Sequence, residues 1–141
     1  MIAYFDTSAM VPLVIAEPGS SRARSLWESA DRVVSVRLVY PEARAALAHA
    51  HRLRRLASRQ HRAAVSDLEA RHDELDLVEI DDDLAHRAGD LAETHALRGY
   101  DAVHLAAAMT IGADESVVVT GDRLLLSAAA AVGLSTALTT P

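Results

Sequence analysis

The sequence predicts an α/β protein, a three-layer sandwich in which a parallel sheet of four or five short strands lies between layers of helices. Short, uninterrupted apolar runs, such as Ile2–Phe5 and Val117–Val119, are typical of strands that are covered on both faces of a sheet. The segments between these runs repeat apolar residues at steps of three and four, as amphipathic helices do. Because half of its 141 residues are apolar, the chain can form a single domain over 1–141.

The first part of the chain predicts two strands separated by two short helices. A strand over 2–5 ends at Asp6, helices over 9–16 and 21–30 follow, and a second strand covers 33–36. Thr7 and Ser8 are typical N-cap residues, and we expect them to begin the first helix.

A helical hairpin is predicted over about 38–75. Pro41 suits the first turn of its first helix, where a missing N–H group costs no hydrogen bond. Ala43 and Leu47 belong to an apolar stripe of helical period. Ser58 is expected to cap the second helix.

Three strands and three helices are predicted in the second half of the chain. The strands are expected over 77–80, 117–119 and 134–137. Helices are expected to begin at Asp81, at Asp101 and after Asp122. The tail over 138–141 is polar and is predicted to be loose.

Composition excludes several kinds of chemistry. The absence of cysteine excludes disulfides, thiol nucleophiles and cysteine-bound zinc. All 14 basic residues are arginine, and the absence of lysine excludes a Walker A phosphate loop, Schiff-base chemistry and a phospho-receiver domain. The net charge of −6 does not by itself indicate a polyanionic partner. No apolar stretch reaches the ~18 residues of a membrane span and no signal peptide is evident, so we expect a cytoplasmic protein without a membrane partner.

Four carboxylates fall where predicted strands end or predicted helices begin. Asp6 ends the first strand and Asp122 follows the fourth. Glu42 and Asp101 lie in the first turns of helices. In a parallel α/β layer such positions can converge at one edge of the sheet, where these folds bind ligands.

Each of these acids alone is explained by helix capping or by the helix dipole, which stabilises an acid in the first turn by ~0.3–1 kcal/mol. Together they would repel one another and take up protons unless a cation neutralised them. Because the chain has no lysine, a hard divalent cation with oxygen ligands, Mg²⁺ or Mn²⁺, is favoured. Such ions suit phosphoryl-group chemistry.

The segments around the four acids resemble the acidic motifs of PIN-domain proteins, and most of all those of the short VapC-type toxins of toxin–antitoxin pairs. The segments are Phe5–Ala9, Pro41–Ala46, Tyr100–Ala106 and Val119–Leu124. They occur in the order that the family shows and extend over most of the chain.

This resemblance implies a PIN-like sandwich and a metal-dependent endoribonuclease. Asp6, Glu42, Asp101 and Asp122 would be catalytic and would hold Mg²⁺ or Mn²⁺, with Asp6 and Asp101 as direct ligands. RNA would be the substrate, and a VapB-like antitoxin would neutralise the toxin by placing its tail in the active-site groove. The hairpin over 38–75 would be the partner-binding element, and the chain would form a homodimer.

Several other residues are candidates for a supporting role. Thr7, Ser8 and Thr120 are expected to supply hydroxyl or backbone N–H contacts near the acids. Arg44 and Arg123 could contact substrate or an antitoxin carboxylate, or could be ordinary surface arginines.

His104 lies on the same helical face as Asp101. It is interpreted as a hydrogen-bonded structural histidine in preference to a catalytic acid.

Arginines crowd the predicted hairpin and have three interpretations: a solvated helix face, antitoxin contact, or steering of RNA phosphates. They are Arg52, Arg54, Arg55, Arg59 and Arg62.

Two alternative functions remain besides the nuclease. One is a catalytically silent PIN-like module that binds RNA or protein, which metal-titrated RNA cleavage would distinguish from an enzyme. The other is a haloacid-type phosphatase, which would need a second aspartate at the position of Ser8.

Overall fold

Five parallel strands form one sheet in the computed structural model, which describes residues 1–141. The strands are β1 (Ile2–Phe5), β2 (Arg32–Val36), β3 (Asp76–Val78), β4 (Ser116–Thr120) and β5 (Ser135–Leu138). The helices are α1 (Thr7–Val14), α2 (Ser20–Ser29), α3 (Val39–Arg52), α4 (Ser58–Glu74), α5 (Asp82–His95), α6 (Gly99–Met109) and α7 (Arg123–Ala131).

The order of strands across the sheet is β3-β2-β1-β4-β5, which places β1 in the centre. Ile2 of β1 is in register with Arg32 of β2 on one side and with Ser116 of β4 on the other. The apolar strand that opens the sequence is therefore hydrogen-bonded along both edges, as its uninterrupted hydrophobic run predicts.

Alternate residues of β1 point to opposite faces of the sheet and belong to separate apolar cores. Ala3 and Phe5 pack into the core that contains the buried faces of α1–α4, whereas Tyr4 packs into the core that contains α5–α7. Both faces of the sheet are covered, so the structure confirms the predicted three-layer α/β sandwich.

The crossovers change face at the centre of the sheet. The chain leaves β1 through α1 and α2 on one face, and it leaves β4 through α7 on the opposite face. Such a switch opens a crevice at the carboxyl ends of the two strands, where ligands bind in open α/β sheets. Asp6 and Asp122 follow these two strands.

Helix starts differ from the sequence prediction at three places. The N-cap of α1 is Asp6, whose carboxylate accepts the Ala9 backbone N–H, in place of the expected Thr7 and Ser8, which lie inside the helix. Ser58 is the first residue of α4 after the N-cap Ala57. Helix α6 begins at Gly99, two residues before Asp101.

The chain end is more ordered than the sequence indicates. A loose tail is predicted over 138–141, but Leu138 closes β5 and Thr139 is buried. The Thr139 backbone N–H donates to the Thr120 carbonyl over 2.9 Å, which continues the pairing with β4. This interstrand pairing is not visible in the polar composition of the tail.

None of the seven helices combines the length and hydrophobicity that a membrane span requires.

Truncation of Leu47 on α3 should destabilise the fold strongly, because this side chain is fully buried in the core beneath α1–α4. We expect Leu47→Ala to lower the free energy of unfolding by about 2–5 kcal/mol. The same truncation at Leu53, which is 57% exposed, should change it by less than about 0.5 kcal/mol. Urea unfolding followed by circular dichroism measures both values, and similar losses in the two variants would contradict this packing.

Candidate active site

One cleft of about 230 Å³ at the carboxyl edge of the sheet is lined by all four predicted acids. They are Asp6, Glu42, Asp101 and Asp122. Thr7, Ser8, Val11, Ala46, Arg98, Tyr100 and His104 complete the lining. Residues that are as many as 116 positions apart in the chain therefore meet at the crevice that the topology creates.

Asp6 lies deepest among the acids and is only 3% exposed. Its Oδ1 accepts the Ala9 backbone N–H over 3.0 Å, and its Oδ2 accepts the Thr120 hydroxyl over 2.8 Å. The Ser8 hydroxyl lies 2.8 and 2.9 Å from the two oxygens. These donors replace the water that a carboxylate loses on burial.

Burial raises the pKa of the Asp6 carboxyl above its ordinary value, and the hydrogen bonds from Thr120 and Ser8 oppose this rise only in part. The protein therefore holds this carboxylate in a place where its negative charge is costly. A cation in the cleft would reduce that cost.

Glu42 lies in the first turn of α3 and reaches the cleft with 21% of its side chain exposed. One oxygen, Oε1, accepts the Thr7 hydroxyl over 2.7 Å and lies 2.7 Å from His104 Nε2. The other oxygen, Oε2, has no hydrogen-bond partner in the structure. Glu42 is thus held through one oxygen and leaves the second available.

Asp101 and Asp122 are each held through one oxygen as well. Asp101 Oδ2 accepts the Arg98 guanidinium over 3.1 Å, and the Asp101 side chain is 15% exposed. Asp122 is the N-cap of α7, and its Oδ1 accepts the backbone N–H groups of Leu124 and Leu125 over 2.8 and 3.3 Å. The helix-capping explanation therefore holds for Asp122, while its Oδ2 remains without a partner.

The donor chemistry of the cleft suits a hard divalent cation, because all four acids offer oxygen and three of them have an oxygen that no hydrogen bond uses. No group of three or more acidic or histidine side chains is already arranged to hold an ion. Coordination would therefore require these side chains to rearrange. The residues present fit Mg²⁺ or Mn²⁺ in number and in type.

The predicted supporting residues divide into two groups. Thr7 and Ser8 line the cleft, and Thr120 lies beneath it against Asp6. Arg44 and Arg123 are directed elsewhere. Arg44 donates to the Tyr40 hydroxyl over 2.8 Å on the hairpin, and Arg123 donates to the Pro141 backbone oxygen over 3.2 Å.

Arg98 is the arginine that does line the cleft, and it is not among the candidate residues predicted from the sequence. Its guanidinium carbon lies 4.9 Å from the centre of the Tyr100 ring, and its side chain is 68% exposed. The spacing of three residues between Arg98 and Asp101 is the signal that could have identified this pair.

A larger depression, of about 800 Å³, opens at the opposite edge of the sheet. Two of its charged groups form ion pairs, Asp31 with the N-terminal amine and Arg32 with Asp76 of β3, whereas Asp114 and Glu115 form none. The smaller acid-lined cleft is the better candidate for chemistry, because it lies at the carboxyl ends of the strands, where open α/β sheets bind ligands.

Comparison with known proteins identifies the family. The model of the PIN domain matches residues 3–132. The chain belongs to the PIN-domain family. This PIN domain is 45% identical to ribonuclease VapC45 of Mycobacterium tuberculosis over 132 residues. The aligned region covers 94% of this chain and 92% of that relative. The resemblance to VapC-type proteins that the four acidic segments predict is therefore confirmed.

Solved structures support the same fold. VapC20 of Mycobacterium tuberculosis, described as a toxin that cleaves the sarcin–ricin loop, superposes with a TM-score of 0.71 at 20% identity, over 94% of this PIN domain and 95% of that chain. The VapBC2 complex of Rickettsia felis, bound to a promoter DNA fragment, gives a TM-score of 0.64 at 14% identity, over 97% and 98% of the two chains.

Asp6→Asn should stabilise the metal-free PIN domain by an amount that grows with pH. Because the folded-state pKa of Asp6 is raised, its contribution to stability is present below the unfolded pKa and is lost as the pH rises through the folded pKa. Asparagine cannot ionise, so the stability of the variant relative to wild type should increase from about pH 4 to about pH 7.

Urea unfolding in the presence of a chelator, at several pH values, measures this difference. Any change in hydrogen bonding that the amide introduces adds a constant offset and does not alter the trend. A stability difference between Asp6→Asn and wild type that does not change with pH, or that grows as the pH falls, would contradict a raised pKa for Asp6.

Proposed function

We propose that this PIN domain is a metal-dependent endoribonuclease that hydrolyses RNA phosphodiesters in the cytoplasm and acts as a toxin that a VapB-like antitoxin neutralises. The observation that carries the proposal is the meeting of four acids in one cleft, in a chain that is 45% identical to a named ribonuclease over 94% of its length. The phosphatase alternative lacks its second aspartate, because Ser8 uses that position to hold Asp6.

In this proposal Asp6 and Asp101 are direct ligands of Mg²⁺ or Mn²⁺, and Glu42 and Asp122 complete the site. When bound, the ion supplies Lewis-acid stabilisation of charge on the phosphate and activation of a water molecule. Ser8 and Thr120 keep the Asp6 carboxylate in place through the hydrogen bonds described above.

Two further side chains have roles in hydrolysis that follow from their positions. Glu42 Oε2 can accept a proton from the attacking water, since Thr7 and His104 occupy only Oε1. Arg98 can exchange Asp101 for a phosphate oxygen of the substrate, because its side chain is largely exposed. Water adds to phosphorus, the bond to the leaving sugar oxygen breaks, and that oxygen takes up a proton.

Asp6→Asn and Asp101→Asn should each reduce Mg²⁺-dependent cleavage of a mixed RNA pool by about 100-fold or more, because each removes a charged oxygen ligand. Asp90→Asn is the matched control, since Asp90 is exposed on α5 and does not line the cleft. Electrophoresis of labelled RNA against Mg²⁺ and Mn²⁺ concentration measures the rates.

Undiminished cleavage by Asp6→Asn would defeat the assignment of the site. Wild-type protein that binds RNA without cutting it at any metal concentration would favour the silent binding module instead.

The hairpin formed by α3 and α4, within residues 38–75, is the proposed binding element for the antitoxin. Residues 43–66 contain six arginines and no acid, although the chain as a whole carries a net charge of −6. The turn between the helices also exposes Leu53, which is 57% accessible. A basic surface with an exposed apolar residue suits an acidic, amphipathic peptide segment.

Reversal of charge on the hairpin should weaken antitoxin binding. We expect Arg59→Glu combined with Arg62→Glu to raise the Kd for a co-expressed, purified VapB-like antitoxin by about 10-fold or more, since like charges then face each other. Arg24→Glu combined with Arg87→Glu, on α2 and α5, is the control with the same change of charge. Calorimetric titration at two salt concentrations measures both.

Loss of RNA affinity with unchanged antitoxin affinity would assign the hairpin to phosphate steering. No change in either would leave it a solvated face.

A homodimer is part of the same proposal. Tyr100, which lines the cleft, and Leu124, two residues after Asp122, are 44% and 71% exposed, and a second copy of the chain could cover them. Sedimentation velocity of the wild type and of Leu124→Glu tests this assembly, and a monomer in the wild type would overturn it.

A further inference from the structure

A chain of three hydrogen-bonded side chains runs from the centre of the sheet to the cleft. The Tyr4 hydroxyl on β1 lies 2.8 Å from His104 Nδ1, and His104 Nε2 lies 2.7 Å from Glu42 Oε1. The residues are 62 and 100 positions apart in the chain and belong to three different elements.

His104 occupies a place in α6 where an apolar residue would be the simple choice. It is 2% exposed, and its neighbours Leu105 and Ala106 on the same helix are buried as well. A buried imidazole is tolerated only when its polar atoms are hydrogen-bonded, and both ring nitrogens of His104 have a partner. The ring also packs edge-on against the Tyr4 ring, with 5.9 Å between centres.

The partners of the ring fix which nitrogen carries the proton. A carboxylate only accepts hydrogen bonds, so Nε2 must donate its N–H to Glu42. The phenol hydroxyl of Tyr4 can donate to Nδ1, which then serves as the acceptor. Both nitrogens thereby have a hydrogen-bond partner, and the ring cannot flip without breaking two hydrogen bonds.

Glu42 is consequently restrained on one side only. Oε1 accepts from His104 and from the Thr7 hydroxyl, while Oε2 is free of hydrogen bonds and lies on a side chain that lines the cleft. Thr7 is partly buried on α1 and cannot by itself fix a glutamate with three rotatable bonds.

We propose that His104 is a positioning residue, held by Tyr4. It orients Glu42 so that the second carboxylate oxygen, Oε2, stays available to a ligand in the cleft. His104 lines the cleft but is only 2% exposed, so we assign its effect to its contact with Glu42. The consequence for catalysis rests on the proposed ribonuclease function, whereas the orientation of Glu42 is a property of this fold that can be measured without RNA or metal.

The tautomer of His104 tests the contact directly in wild-type protein. Nitrogen-15 NMR of the full chain should show Nε2 protonated, with an Nε2–H proton that exchanges slowly with water. Glu42→Ala should remove that slow exchange. A bare Nε2 in wild type, or a proton whose exchange does not depend on Glu42, would overturn the proposal.

Substitutions test the consequence for the cleft. His104→Leu removes the donor and should lower kcat for RNA cleavage and raise the Kd for Mn²⁺ by about 10- to 100-fold, with KM little changed. His104→Gln keeps an N–H donor near the position of Nε2 and should recover most of that loss. Tyr4→Phe removes only the hydroxyl and should have an intermediate effect.

Leu105→Ala is the matched control, because it disturbs the same buried turn of α6 without touching Glu42. It should lower thermal stability while leaving the Kd for Mn²⁺ within about twofold of the wild-type value. His104→Leu differs because it also removes a hydrogen bond to Glu42, a residue of the proposed metal site. If Leu105→Ala weakens Mn²⁺ binding as much as His104→Leu does, or if His104→Leu and His104→Gln behave alike, then His104 only fills space.

The two proposals fail in different ways. Wild-type protein that does not cleave RNA contradicts the proposed function, and the NMR measurement still decides whether His104 holds Glu42. Active wild-type protein with an unchanged kcat and Mn²⁺ affinity in His104→Leu contradicts the positioning role alone.

Discussion

A carboxylate buried at the end of the central strand imposes the main physical constraint on this molecule. Asp6 has lost nearly all contact with water, so its charge depends on Ser8, Thr120 and the Ala9 backbone N–H. The same hydrogen bonds join the end of β1 to the start of α1 and to the end of β4. Gly121 completes this join, because its N–H donates to Ser8 over 2.8 Å. The charge of the site and the geometry of the central strand pair therefore depend on each other.

The topology explains why the acids meet here and not elsewhere. The crossovers leave β1 and β4 on opposite faces, which opens the crevice between their carboxyl ends. Within that crevice Asp6 is held through both carboxylate oxygens, whereas Glu42, Asp101 and Asp122 are each held through one oxygen only. The arginine-rich residues 43–66 lie on the hairpin of α3 and α4, and the first turn of α3 carries Glu42 into the cleft.

Much of the fold could be predicted from the sequence, because hydrophobic period and helix boundaries are local. The prediction recovers β1 to the residue and places all twelve elements in order. The four acids of the cleft could be proposed because they stand at strand ends and helix starts. Arg98 was missed, and Arg44 and Arg123 were expected near the site although they are directed away from it. The direction of a long, flexible side chain depends on neighbours that spacing does not specify.

The α/β class, the order of elements, the family and the positions of the acidic motifs all follow from patterns in the sequence. The donor that holds each acid follows from how the folded chain packs. Asp6, and not Thr7 or Ser8, caps α1, and His104 links Tyr4 to Glu42 across the interior. The physical reason is distance along the chain. Local patterns fix the period of an element. Hydrogen-bond partners that are 62 and 100 residues apart come into contact only when the crossover helices pack against the sheet.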